Sequence, residues 1–182
     1  MKKIVLSAAL ATVFGAAALF STSVAAADGT ITITGKVVAN TCAFSVNGGG
    51  ASNTVQLPVV FTNALGTAGA VAGNTPFTIK VSGCDPNLTS VQEQFGGSNI
   101  LADGNLKNIA SATSPQTVAG NVEVQLLSGT GAVINLNNIT NSPVGTLASG
   151  SATLSYQAQY YASAAASAGQ VSTTVTYTTQ YQ

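Results

Sequence analysis

The chain has 182 residues and equal numbers of basic and acidic residues, five of each, with no histidine and no tryptophan. So few cations argue against binding to nucleic acid or to an anionic membrane surface, because both need clustered positive charge. Without histidine the chain can form neither a Ser-His-Asp nor a Cys-His catalytic arrangement, and it lacks a common metal ligand. We therefore expect no cofactor and no nucleic-acid partner.

Residues 1–27 are predicted to form a secretory signal peptide. Lys2 and Lys3 precede an apolar stretch over residues 4–20, and small residues follow up to Ala27. Cleavage is expected between Ala27 and Asp28, and no later segment has the ~18 apolar residues that a transmembrane helix needs. The remaining chain, about 155 residues, is long enough for one domain with its own core.

Alternating apolar and polar residues predict strands along the remaining chain, and no segment predicts an amphipathic helix. Pro58 favours an edge or an irregular conformation for its run, and residues 132–136 are predicted to pair with 120–128 as a hairpin. The stretches 66–74 and 141–151 are predicted turns. Short strands at this spacing predict a two-sheet β-sandwich. The predicted strands are residues 30–39, 53–61, 76–84, 89–95, 120–128, 132–136, 152–162 and 170–181.

Cys42 and Cys84 are the two cysteines of the chain. An even number behind a predicted signal peptide indicates a disulfide that forms in an oxidising compartment. A redox or metal-binding pair is not favoured, because the two cysteines are not arranged as C-x-x-C. Closing a loop of roughly 40 residues stabilises a fold by about 4 kcal/mol in the chain-entropy model.

The acidic residues do not indicate a catalytic or metal site. Glu93 and Glu123 fall in alternating runs, where we expect them on the polar face of a strand. Asp85 lies in CDPN and Asp103 in ADGN, and both are predicted to stabilise turns. A carboxylate pair for glycoside hydrolysis and an oxygen cage for calcium are therefore not expected. The chain is predicted not to be an enzyme.

The clearest strand patterns lie at the two ends of the chain that follows the signal peptide. In DGTITITGKVVANTC, residues Ile31, Ile33, Gly35 and Val37 fall on one face. The residues that share a face near the C-terminus are Val171, Thr173, Val175, Tyr177, Thr179 and Tyr181, and Gly169 precedes them. On pattern alone, this second run is equally well explained as the last core strand of a sandwich.

Taken together, these features resemble the pilins that assemble by the bacterial chaperone–usher pathway, in particular the type 1 fimbrial major pilin family. The resemblance covers the whole chain after the signal peptide. It includes the N-terminal extension, the cysteine pair, VEVQLLSGTGAVINL and SYQAQYYA. The ending GQVSTTVTYTTQYQ has a glycine fourteen residues from the C-terminus and a penultimate tyrosine, as in the family.

The resemblance implies an all-β fold, an incomplete immunoglobulin-like β-sandwich that lacks its seventh strand. Residues 28–38 are then an N-terminal donor-strand extension, and residues 39–182 are the pilin domain. The donor residues that enter the groove of a neighbouring copy would be Gly29, Ile31, Ile33, Gly35 and Val37. The groove would lie near Phe44 and Val46. Its strand would carry Gly169, Val171, Thr173, Val175, Tyr177, Thr179 and Tyr181.

The function that the resemblance implies is that of a structural fimbrial subunit, which polymerises by donor-strand exchange for cell adhesion and biofilm formation. Its expected partners are identical or related pilin subunits, a periplasmic chaperone, an outer-membrane usher, and host or abiotic surfaces. The expected route leads through the periplasm to a fimbrium on the cell surface. Two alternatives stay open, a self-sufficient carbohydrate-binding sandwich and a minor or tip adaptor subunit. The absence of tryptophan argues against a sugar site.

Overall fold

The structure, a computed structural model, describes residues 32–35, 37 and 42–182. The chain divides into two units, Met1–Lys36 and Val37–Gln182. The predicted signal peptide lies outside the described residues, and so do Gly29 and Ile31. Within the described residues, no helix combines the length and the apolar character that crossing a bilayer requires.

The second unit is all-β in its described part, as the sequence predicts. The one helix assigned there is a 3-10 turn over Thr62–Leu65, and the glycines that follow it are unfavourable in a longer helix. The strands are β1 (Ala43–Val46), β2 (Val71–Ser82), β3 (Ser90–Gly96), β4 (Leu106–Lys107), β5 (Val122–Ser128), β6 (Val144–Thr146), β7 (Ala152–Ala162) and β8 (Thr176–Tyr181).

These strands form two sheets with the core between them, which confirms the predicted sandwich. One sheet has the order β1-β2-β7-β5-β4, and the other has the order β6-β3-β8. All of these pairings are antiparallel. Phe77 of β2 stacks on Tyr156 of β7 with ring centroids 5.4 Å apart, and Phe95 of β3 meets Tyr156 edge-on at 5.2 Å. This aromatic cluster joins the two sheets.

Strand β2 is longer than the sequence predicts. It begins at Val71, inside a stretch that was expected to be a turn. A bulge between Ala72 and Thr75 allows the strand to continue, because a bulge accommodates an extra residue in one strand. Gly73 lies in this bulge with φ +69°, a conformation that a side chain disfavours. The glycine that suggested a turn therefore marks an irregularity inside a strand.

Other differences concern short or irregular strands. Strands β4 and β6 have no counterpart in the prediction, because two or three residues are too few to show an alternation. Residues 132–136 do not form a regular strand, but Val133 pairs with Leu127 in an antiparallel bridge, so the predicted hairpin pairing is confirmed at that point. The predicted strand 170–181 is a regular strand only from Thr176 onward.

A disulfide joins Cys42 to Cys84, as the cysteine count predicts. The two residues flank the paired strands β1 and β2, where Ala43 lies opposite Ser82. The bond therefore fixes the beginning of the domain to the end of β2.

The position of Glu93 contradicts the prediction of a solvent-facing strand residue. Its side chain is 0 % exposed and lies on the inward face of β3 with Val91 and Phe95. Thr179 of β8 donates a hydrogen bond from Oγ1 to Glu93 Oε2 at 2.7 Å, and Oε1 has no partner in the described part of the chain. Burial raises the pKa of Glu93, and the hydrogen bond from Thr179 opposes that shift only in part. Because Glu93 lies between the polar residues Gln92 and Gln94, the sequence alone did not show that its side chain points into the core.

A buried carboxyl with a raised pKa makes the fold more stable at acidic pH. Its stabilising effect is full below the ordinary pKa of a glutamate in the unfolded chain, and it is lost as pH rises through the folded pKa. We expect Glu93→Gln to raise the free energy of unfolding at pH 8 by about 1–3 kcal/mol, the cost of an incompletely bonded buried charge. Urea unfolding followed by circular dichroism at pH 4 and pH 8 measures this.

The matched control is Gln94→Glu, which places a carboxyl on the exposed face of the same strand. It should leave the pH dependence unchanged. An equal pH dependence of Glu93→Gln and the unaltered chain would contradict the assigned burial of this carboxyl.

Candidate strand-acceptor groove

A long groove with an apolar floor follows residues 171–175 and the free edge of β8. Its central part has a volume of about 410 Å³ and lies between residues 53–57 on one side and 171–175 on the other. Side chains from four strands of the larger sheet form its floor, and they are Phe77, Leu106, Val124, Leu126, Ala158 and Tyr160. Most of these are core residues. The groove is therefore an opening into the core of the sandwich.

At one end, here called the β8 end, the groove widens to a volume of about 630 Å³. Val55 and Val175 border both this part and the central part, so the two are continuous. Phe44 meets the ring of Tyr177 edge-on, with centroids 5.9 Å apart. The Tyr177 hydroxyl donates a hydrogen bond to the carbonyl of Ala51 at 2.7 Å. This bond links β8 to the segment that forms the opposite wall.

At the other end, here called the Gly169 end, the groove continues into a volume of about 400 Å³ that shares Tyr160 and Val171 with the central part. A second apolar cluster lies beneath it, and its buried members are Leu65, Ala119, Val122 and Ala162. A Cβ atom on Gly169 would overlap the backbone of Val118 and Ala119. Gly169 therefore allows the 117–119 backbone to pack directly against this end of the groove wall.

The backbones of the two walls of the groove are not hydrogen-bonded to each other. No backbone–backbone hydrogen bond between described residues reaches residues 54–60. Strand β8 is the edge of its sheet and pairs only with β3 in the described part. Residues 171–175 bond on their other side, where Ser172 N donates to Asn108 Oδ1 and the Asn99 amide donates to Thr174 Oγ1, both at 3.0 Å. An extended segment between the walls would find backbone groups without a backbone partner on both sides.

No charged side chain lines this groove in the part of the chain that the structure describes. Burial raises the pKa of Tyr160, and it raises the pKa of Tyr177 and Tyr181, where the negative charge of Glu93 adds to the effect. All three phenols are therefore neutral at physiological pH. The groove suits an uncharged, extended ligand with apolar side chains on the face that meets the floor.

The residues that the resemblance assigned to the groove do line it. Gly169 and Val171 lie at the Gly169 end, and Thr173 and Val175 lie in the central part. At the β8 end the lining includes Phe44, Val46, Tyr177, Thr179 and Tyr181. Among the donor residues, Ile33 is 91 % exposed and Val37 is 99 % exposed. Occupation of the groove by a donor strand stays a prediction.

The opposite wall and the floor were missed by sequence reasoning. Residues 53–57 form that wall, and the signal for it was weak because Pro58 interrupts the run. Tyr160 has a clearer signal, since it continues the alternation of Leu154, Tyr156 and Ala158 along β7.

Among the described residues, the acidic side chains outside the core bond to neighbouring amide groups. Asp85 accepts a hydrogen bond from Asn87 N at 2.8 Å, and Asp103 accepts one from Asn105 N at 3.1 Å, which confirms their predicted turn roles. The Asn105 amide also bonds Asp103 Oδ2 at 2.9 Å and Glu123 Oε2 at 3.0 Å. No cluster suited to a metal ion occurs among the described residues.

Comparison with known proteins gives consistent matches. A family model described as "Fimbrial protein" matches residues 31–182. The "Major fimbrial subunit SMF-1" of Stenotrophomonas maltophilia is 42% identical over 163 residues, which cover 86% of this chain and 94% of that protein. The "F17 fimbrial protein" of Escherichia coli is 42% identical over 176 residues, covering 91% of this chain and 94% of the relative. A subunit from a solved chaperone–usher pilus matches with a TM-score of 0.59 and 19% identity, covering 86% of this chain and 96% of that one.

Gly169 gives a direct test of the geometry at its end of the groove. We expect Gly169→Ala to lower the free energy of unfolding by about 1–3 kcal/mol, because the added methyl group meets backbone atoms that cannot move aside. The matched control is Gly50→Ala, where the nearest atom to an added Cβ is 3.7 Å away. Chemical denaturation compares the two. Equal stability of both variants would contradict the close approach at Gly169.

Proposed function

We propose that this chain, which belongs to the fimbrial protein family and is a structural, non-enzymatic pilus subunit, polymerises by placing residues 28–38 in the groove of another copy. The observation that supports the proposal most strongly is the groove itself. It is long and uncharged, its floor is apolar, and its walls contain backbone groups that have no backbone partner. A strand from another chain can both cover the floor of the groove and pair with the free backbone groups, as in β-strand addition.

The donor segment matches the chemistry of the groove. Its inward face carries Gly29, Ile31, Ile33, Gly35 and Val37, none of which is charged. At about 3.3 Å per residue, residues 29–37 span about 26 Å, and residues 171–181 along the groove span about 33 Å. Each apolar donor side chain that becomes buried contributes about 1.5–3 kcal/mol before the cost of ordering the segment.

The donor strand is proposed to lie antiparallel to β8. All pairings between the strands of this domain are antiparallel, and antiparallel pairs are slightly more stable per residue. This orientation places Gly29 at the β8 end of the groove and Val37 at the Gly169 end.

Assembly of this kind is head to tail, because each copy offers a donor segment at one place and a groove at another. Such a heterologous contact propagates into an open fibre. Before assembly the open groove exposes core side chains and unpaired edges, which favours aggregation. A periplasmic chaperone that covers the groove prevents this aggregation, and an usher then receives the subunit. Export by the predicted signal peptide, residues 1–27, brings the chain to them.

The assembled fibre is proposed to support adhesion of the cell to host or abiotic surfaces and biofilm formation. We further propose the role of major shaft subunit, supported by the similarity to a relative named as a major fimbrial subunit.

A synthetic peptide of residues 28–38 tests the groove assignment. We expect the peptide to raise the melting temperature of the mature chain strongly, by 10 °C or more on the order of magnitude that several kcal/mol of binding implies. The control peptide carries Ile33→Asp, whose charge cannot be paired in an uncharged groove, and it should have little effect. Equal melting temperatures with and without the unaltered peptide would refute the proposal.

The orientation is tested by disulfide trapping. A peptide with Thr30→Cys is expected to crosslink to a chain with Thr178→Cys or Gln180→Cys on the exposed face of β8, because directly opposed residues in a pair lie within disulfide range. A chain with Ser172→Cys is the control and should crosslink poorly. Preferred crosslinking at position 172, read on a non-reducing gel, would instead indicate a parallel donor.

A further inference from the structure

An exposed apolar pair lies beside the Gly169 end of the groove. Val59 and Phe61 are 98 % and 81 % exposed, and both border the same volume as Gly169. Among the described residues, the other large apolar side chains with more than four fifths of their surface exposed are Ile33 and Val37. Those two belong to the segment proposed to be buried by another copy. The same assembly is the natural place for Val59 and Phe61 to be covered.

The fold holds this pair outward. Val60, between them, packs on the second apolar cluster with Leu65. Successive residues of an extended segment point to opposite sides, so Val59 and Phe61 point away from that cluster. The backbone of Phe61 is extended, with φ −85° and ψ 148°, and its carbonyl accepts a hydrogen bond from Ala64 N at 3.0 Å in the 3-10 turn.

We infer that Val59 and Phe61, here called the junction pair, dock on the base of the donor strand and the start of the domain that follows it in the neighbouring copy. The inference rests on the proposed function and its antiparallel orientation. Val37 of the donor then occupies the Gly169 end, beside the junction pair. Residues 38–41 of the donor span at most about 14 Å when fully extended, and the disulfide fixes Cys42 to the donor's domain. The donor's domain therefore begins close to the junction pair.

The donor sequence changes character at the same place. Alternation puts one set of residues on the outer face of the donor strand, and these are Thr30, Thr32, Thr34, Lys36 and Val38. The outer face is polar until Val38, its first apolar residue, which follows directly after the donor residue at the Gly169 end. An apolar residue of the donor thus meets the apolar pair of the acceptor.

A contact at this point has a consequence that the donor strand alone does not provide. A strand seated in a groove leaves residues 38–41 as the connection between successive domains. Docking of the junction pair on the donor's base would fix the angle at that connection and slow the release of the donor.

The test uses a defined pair of full chains. The donor copy has its groove filled by a peptide of residues 28–37, which ends before Val38, and excess peptide is removed. The acceptor copy carries Ile33→Asp, so that it cannot itself donate. A second acceptor adds Val59→Thr and Phe61→Ser, and a third adds Val144→Thr as the matched control. Val144 is 58 % exposed, lies on β6 and does not line the groove.

We expect the junction-pair variant to release the donor copy about tenfold faster or more, as loss of apolar burial at an interface predicts. Its affinity for a shorter peptide of residues 28–35, which ends before the Gly169 end of the groove, should match that of the unaltered acceptor, which also shows that the variant is folded. The Val144→Thr acceptor should behave as the unaltered one.

Equal release rates with intact peptide binding would overturn the junction contact and leave the proposed function standing. A parallel loss of peptide affinity would also overturn it, because the pair would then act inside the groove. Failure of every acceptor to bind either peptide or donor copy would instead refute the proposed function.

Discussion

The structure depends on one deficit, a sandwich whose core is open between two unpaired stretches of backbone. Residues 54–60 and the edge that runs from 171–175 into β8 make no hydrogen bonds to each other. Core side chains of the larger sheet lie between them. Water can bond the backbone but leaves the apolar floor uncovered, whereas a loose apolar ligand would cover the floor but leave the backbone unpaired. A single extended strand with alternating apolar residues meets both needs at once.

This deficit gives a common reason for features that are separate in the sequence. Gly169 lets the backbone of 117–119 pack against one end of the groove wall, and at the other end Tyr177 bonds to the carbonyl of Ala51. The absence of charge from the walls matches the uncharged inward face of residues 29–37. The most exposed apolar side chains of the described chain lie either in that segment or at the junction pair. Under the proposed function, each copy therefore carries both an open groove and a segment that can fill the groove of another copy.

Sequence reasoning predicted the parts of this fold that depend on period-two alternation. Strand β7 matches its predicted bounds, the cysteine pair forms its disulfide, and the turn roles of Asp85 and Asp103 are confirmed. It failed where a local signal has two meanings. Gly73 indicates a turn but occupies a bulge, and Glu93 looks exposed because its neighbours are glutamines. The wall at residues 53–57 could not be predicted, since nothing in an extended run around a proline says which side stays unpaired.

The most direct measurement of the central claim is amide hydrogen exchange at the two walls. The chain carries Ile33→Asp to prevent polymerisation, and exchange is compared with and without the 28–38 peptide. The account predicts rapid exchange for residues 54–60 and for outward amides along β8 in the free chain, and strong protection once the peptide is bound, while β2 and β7 stay protected throughout. Walls that are already protected in the free chain, and unchanged by the peptide, would show that the sandwich is complete by itself and would contradict the account.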